Sequence, residues 1–154
     1  MTCFAAWTFP FSSSSRNRTG WLEQYVYSLV QELKREHPII QDIGRGLEVS
    51  REGSRGPIRN ELDVAFLADN RLHVIECKTR RFDEEATAGG AGAEALYKLD
   101  ALSNLFGGFR ARSMLVSYQP LSHHVLDRAG DYGILTCAGG ELHRLKEKLA
   151  AWLY

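Results

Sequence analysis

Cysteine and net charge are scarce in this chain, and long apolar runs are absent. Its 154 residues hold three cysteines, Cys3, Cys77 and Cys137, widely spaced, with no CxxC pair and no histidine at ligand spacing. That argues against a disulfide framework or a structural zinc site. Nineteen Lys and Arg cancel nineteen Asp and Glu, so the chain does not coat nucleic acid or anionic membrane by bulk electrostatics, and any polyanion contact is local. No apolar run reaches the roughly 18 to 20 residues of a membrane span. Met1 to Phe11 lacks a basic start and runs into Pro10 and then four serines, so it does not read as a secretory signal. The cytosol is the expected location. What remains is 44% hydrophobic and 25% charged, the composition of one soluble α/β or α+β domain.

Residues 1–18 have no helical or strand period and read as a lead-in or linker, leaving 19–154 as the folded domain. From Gly20 to about His37 the apolar positions Leu22, Val26, Leu29 and Leu33 recur at helical spacing, and Pro38 ends the run. Strand character follows at Leu47–Arg51, Asn60–Leu67 and Arg71–Thr79. Phe82–Glu94, acidic and then glycine-rich, reads as an exposed loop, and a helix at Ala93–Phe106 closes on Gly107-Gly108. The remainder reads as a strand at Ala111–Tyr118, a helix at Leu121–Ala129, a strand at Tyr132–Thr136 and a helix at Glu141–Leu153. This order gives an antiparallel meander continued by crossovers.

Chemistry concentrates between Asn60 and Thr79. If Asp69-Asn70 is a two-residue hairpin turn, a role both residues suit because they tolerate positive φ, paired positions follow by addition. Val64 then faces Ile75, and Asp63 lies opposite Glu76 with Lys78 two residues along the same face. Cross-strand Cβ atoms sit about 4.5 to 5.5 Å apart, and like charges there are destabilising unless compensated. A divalent cation compensates them. Two carboxylates, water and a backbone carbonyl such as that of Cys77 form the hard-oxygen set that Mg²⁺ or Mn²⁺ prefers. Such an ion acidifies a bound water and neutralises charge on a phosphate, while Lys78 orients that water or stabilises the reacting phosphorus. The same three residues would also suit a surface charge lattice of small energetic worth. Against that, the face bearing them also carries Leu72 and Val74, and the opposite face, Leu62, Val64, Phe66, Ile75 and Cys77, suits a core.

The hairpin Asp63…Glu76-Cys77-Lys78, with a helix before it and a helix and strand after it, resembles the PD-(D/E)XK nuclease superfamily. More narrowly, Gly20-Trp-Leu-Glu-Gln-Tyr-Val, Asn60-Glu-Leu-Asp-Val, Ile75-Glu-Cys-Lys-Thr79, Tyr97-Lys-Leu, Gly107-Gly108 and Leu115-Val-Ser117 are similar to the nuclease half of CARF-domain effectors of type III CRISPR systems. The resemblance implies a restriction-endonuclease-like fold with a central mixed β-sheet flanked by helices. It implies Asp63 and Glu76 as metal ligands, Lys78 as the catalytic lysine, Glu23 as an ancillary acid, and Mg²⁺ or Mn²⁺ as cofactor. It further implies a homodimer that cuts single-stranded DNA or RNA, in some members nicking duplex DNA, in antiviral defence under a cyclic-oligoadenylate sensor. That sensor has no counterpart in these 154 residues and is expected on a separate domain or protein.

Other residues have two readings each. Glu23 suits the dipole of a helix start as well as it suits catalysis. Lys98 either approaches the substrate phosphate or lies on a solvated helix face. Thr79, Arg80 and Arg81, and likewise Arg110 and Arg112, either steer a phosphate backbone or are solvated strand ends. His73 reads as a packed sheet residue, and His123-His124 lacks a ligand partner. Trp7, Trp21 and Trp152 can stack on bases, although core or interface packing suits Trp21 and Trp152 better. Two competing functions remain: a silent nucleic-acid-binding or dimerisation module of this fold, and a restriction or repair nuclease on duplex DNA. Neutral charge disfavours the second, and the intact Asp63, Glu76 and Lys78 disfavour the first.

Overall fold

The computed structural model describes residues 20–53, 56–80, 91–106 and 111–154. The lead-in, most of the acidic glycine-rich stretch, and Arg81, Gly107, Gly108 and Arg110 lie outside them. The elements are α1 (Trp21–Glu36), β1 (Ile40–Gly53), β2 (Gly56–Ala68), β3 (Arg71–Lys78), α2 (Ala91–Phe106), β4 (Arg112–Ser117), α3 (His123–Asp131), β5 (Leu135–Ala138) and α4 (Leu145–Trp152), the last preceded by a 3-10 turn at Gly139–Arg144.

Five strands form one mixed sheet in sequence order. β1, β2 and β3 pair antiparallel, whereas β3, β4 and β5 run parallel, so β3 belongs to both halves. Asp69 and Asn70 take φ of 50° and 56°, the left-handed pair that a tight hairpin needs. Gln41 locks that turn, its amide donating to Asn70 Oδ1 and its oxygen accepting the Asn70 N–H, both at 3.0 Å. The register runs from Ala68↔Arg71 through Phe66↔His73 to Val64↔Ile75, as the addition rule requires.

The sheet is covered on both faces. α1 and α4 pack on Val64, Phe66, Ile75, Met114 and Val116, while α2 and α3 pack near Ala65, Val74 and Leu115. α1 buries Leu22, Val26, Val30 and Leu33 at helical spacing. It stops at His37, whose extended backbone (φ −124°, ψ 96°) is what a residue before proline adopts. His73 is fully buried, stacked on Phe66 at 4.5 Å with Trp152 edge-on at 4.7 Å. Burial lowers its pKa to about 4, so the ring is neutral at pH 7.

Several boundaries differ from the sequence expectation, among them the start of β2, at Gly56 rather than Asn60, and the start of α3, at His123 rather than Leu121. β1 begins at Ile40 rather than Leu47, because pairing with β2 extends an edge strand through polar residues and two glycines that show no apolar alternation. β5 starts at Leu135 because Tyr132 and Gly133 belong to the helix stop before it. There Gly133 (φ 64°) donates to Gly130 and Ile134 to Ala129, the paired closure of a Schellman motif. Gly92, expected in a loop, lies inside α2. The last helix is divided, with Glu141 in the 3-10 turn and α4 proper starting at Leu145. Leu62 also departs from parity: it packs in the α2-side cluster rather than with Val64.

Candidate active site

The hairpin register delivers Asp63 and Glu76 to one place, but the ladder itself ends at Val64↔Ile75. In an antiparallel pair every second residue exchanges backbone bonds, so the next donor, Cys77 N–H, would go to the Leu62 carbonyl. It goes instead to Asp63 Oδ2 at 2.7 Å. β2 beyond Asp63 stays paired with β1, and the acid side chain fills the gap where β3 departs.

Glu76 is 2% exposed and carries an ammonium on each oxygen: Lys78 Nζ at 2.5 Å from Oε1, and Lys98 Nζ, from α2, at 2.8 Å from Oε2. A buried carboxylate needs such partners to remain charged. Asp63 is less well served. Burial, followed by repulsion from Glu76, raises its pKa to about 7 despite the Cys77 N–H and the nearby Lys98. Burial pulls the Lys78 pKa down, but the charge and hydrogen bond of Glu76, together with Asp63, raise it for a net rise, so it is an ammonium at neutral pH. Glu23, half-buried in the first turn of α1, is raised by burial and by Glu61 and Glu76 against Arg45 and Lys78. Three acids therefore face one region of excess negative potential, tempered by two lysines.

Among the described residues no three His, Cys, Asp or Glu side chains converge into a ready metal cage. The donor set still fits a hard divalent ion, because Asp63 and Glu76 offer carboxylate oxygens whose mutual repulsion an ion relieves. The Cys77 thiol is no ligand. Its side chain is in the core, 8% exposed, and burial pushes its pKa well above the usual thiol range.

Thr79 is half-buried and Arg80 exposed, one and two residues past β3 at the site's end of the sheet. Arg112, considered for phosphate steering, opens β4 beside His73, five residues from the Lys78↔Ser117 pair and so roughly 16 Å away. Its guanidinium donates to the carbonyls of Trp152 at 2.7 Å and Tyr154 at 3.0 Å. Trp152 is a core residue, whereas Trp21, expected in a core or an interface, is 50% exposed.

Residues 14–154 match the family described as Card1-like, endonuclease domain. The chain belongs to the Card1-like endonuclease family. It is a nuclease domain, and two solved structures are similar to it over most of its length. The crystal structure of VC1899 from Vibrio cholerae superimposes with a TM-score of 0.79 at 40% identity, covering 87% of this chain and 33% of that one. Can2 from Sulfobacillus thermosulfidooxidans, solved with cyclic tetra-adenylate, gives 0.73 at 35% identity, covering 88% of this chain and 36% of that one. The Card1-like domain thus spans about a third of either protein. The small subunit of the heterodimeric restriction endonuclease R.BspD6I shares the fold alone, with a TM-score of 0.57 at 12% identity. No match is found among curated proteins.

Two charged neighbours of the Card1-like site escaped the sequence reading. Glu61 stands two residues before Asp63, near enough in sequence to share its neighbourhood, so its influence on Glu23 was open to inference. Arg45 had no such signal. It lies on the part of β1 without strand pattern, beside Gly46, whose φ of 58° glycine adopts without a Cβ penalty.

Proposed function

We propose that this domain is a metal-dependent endonuclease that hydrolyses phosphodiester bonds of single-stranded DNA or RNA. The observation that supports this best is the Asp63–Glu76 carboxylate pair, buried between two lysines in a domain of an endonuclease family. Asp63, Glu76 and the carbonyl of Cys77 would hold one or two Mg²⁺ or Mn²⁺ ions, with Glu23 as an ancillary acid. When bound, the ion lowers the pKa of water and offsets charge on the phosphate.

The chain's own groups divide the remaining work. Asp63 and Glu76 repel a bare phosphate, so their part would be to hold the ion that offsets its charge. Lys78, held as an ammonium by Glu76, donates to the attacking water or to the phosphoryl oxygens and is not a base. Lys98 holds the second Glu76 oxygen and lies where a phosphate would exchange partners with it. Thr79 and Arg80 guide the strand leaving β3. The resemblance to CARF-domain effectors extends the proposal to a homodimer in CRISPR-linked defence, and Can2, solved with cyclic tetra-adenylate, supports a cyclic-oligoadenylate sensor on a separate domain or protein.

Cleavage of labelled single-stranded DNA, single-stranded RNA and supercoiled plasmid tests the reading, with Mn²⁺, Mg²⁺ or EDTA and with Glu76→Ala as control. Cutting that requires the metal and vanishes in the variant is the expected result. Cutting that persists in EDTA or in Glu76→Ala would assign the chemistry elsewhere.

A further inference from the structure

Trp21 and Tyr118 are each 50% exposed, with ring centroids 5.3 Å apart and planes at 84°. Tyr118 is tied to the end of β3 through its backbone, and Trp21 is tied to it through Tyr118. Trp21 precedes Glu23 by two residues at the start of α1, and the Tyr118 N–H donates to the Lys78 carbonyl at 2.8 Å. An edge-to-face pair covers at most one of its four ring faces, so flat apolar surface remains open to water beside the backbone end of β3. Tyr25, one helical turn beyond Trp21, is 40% exposed and extends this side of α1.

We propose that Trp21 and Tyr118 form a stacking platform for an unpaired base, holding the nucleotide that flanks the scissile phosphate. The inference rests on the nuclease reading and deepens it by naming what selects the substrate. In a duplex both faces of a base are covered by its neighbours, whereas a single strand offers free faces to aromatic rings. The charge arithmetic points the same way. A chain with nineteen cationic and nineteen acidic side chains has little to gain from counterion release on a duplex. Stacking is independent of net charge, and exposed Arg80, two residues past Lys78, is a local cation for a phosphate.

Fluorescence anisotropy tests this on the 154-residue chain, in EDTA and again in Ca²⁺, with labelled oligo-dT and an abasic oligomer of equal phosphate number. The parent is expected to prefer oligo-dT. Trp21→Ala and Tyr118→Ala should each weaken oligo-dT by about 5-fold or more, leave the abasic strand unchanged, and be rescued by Trp21→Phe. Thermal melts confirm that the variants are folded. If the parent binds both strands equally, or if the alanine variants bind oligo-dT normally, the platform is wrong while the nuclease reading stands. If the parent binds neither strand, both readings fail. Should Trp21→Ala instead break an oligomer seen by light scattering, with oligo-dT affinity unchanged, the pair is a contact between copies.

Discussion

The carboxylate of Asp63 accepts the backbone N–H of Cys77, the residue that separates Glu76 from Lys78. One peptide thus ties the acid on β2 to the β3 segment that carries the other two charged groups. The bond lowers the Asp63 pKa, yet burial and Glu76 raise it further, and the balance sits at about 7. The site stores unfavourable charge in its resting state.

Replacing Asp63 by Asn should therefore stabilise the metal-free domain at alkaline pH. Its folded pKa, about 7, exceeds the ordinary value of 3.8, so the native state binds the extra proton and stability falls as pH rises from 4 through 7. Asn retains an oxygen for the Cys77 N–H and never ionises. In EDTA at pH 8 the variant is expected to gain roughly 1 to 3 kcal/mol, with no gain near pH 4. Thermal melts across that range check it, and adding Mn²⁺ should raise the melting point of the parent alone.

Lys98 competes for a Glu76 oxygen. Lys98→Met keeps the side-chain stem on a half-buried helix position and removes the cation, so apparent Mn²⁺ affinity should rise about 3- to 10-fold by calorimetry. Cleavage should fall at the same time. Weaker metal binding would mean that Lys98 aligns Glu76 rather than opposing the ion.

Cys77→Ser tests the division of labour within β3. The hydroxyl would enter the apolar cluster between Ile75 and Val116, at a cost of about 1 to 2 kcal/mol. Urea unfolding should show that loss, while Mn²⁺ affinity stays within error because Asp63 is held by the backbone of residue 77 and not by its sulfur.

His73 gives the fold an acid limit. Its folded pKa of about 4 lies below the ordinary 6.5, so the stability it supports is complete above pH 6.5 and is lost as pH falls toward 4. His73→Leu should flatten that fall. Denaturation midpoints of parent and variant, compared at each pH, isolate it from Asp63, which titrates in the opposite sense over the same range.

The hairpin was legible because its information is local: Asp69-Asn70 fixes the turn, the turn fixes the register, and the register brings Asp63 to Glu76. α1 was legible because one apolar stripe and Pro38 define it. What sequence spacing left unresolved depends on partners distant in the chain. The pairing of Lys98 with Glu76 needs the placement of α2 against β3, and β1 through Gln41–Arg45 is a strand only because β2 lies beside it. The exposure of Trp21 was unforeseeable for the same reason, since an aromatic residue at a helix start is inside or outside according to what packs there.

The mixed direction of the sheet sets an order of events during synthesis. The Asp63–Glu76 hairpin closes across a two-residue turn, while Lys98 waits for α2, and β4 docks parallel to β3 only after that crossover. Parallel, non-local pairing is the slow part of folding. The two acids thus depend on a local contact and Lys98 and the Ser117–Tyr118 end of β4 on distant ones, so the full set of site groups requires most of the sheet to be in place.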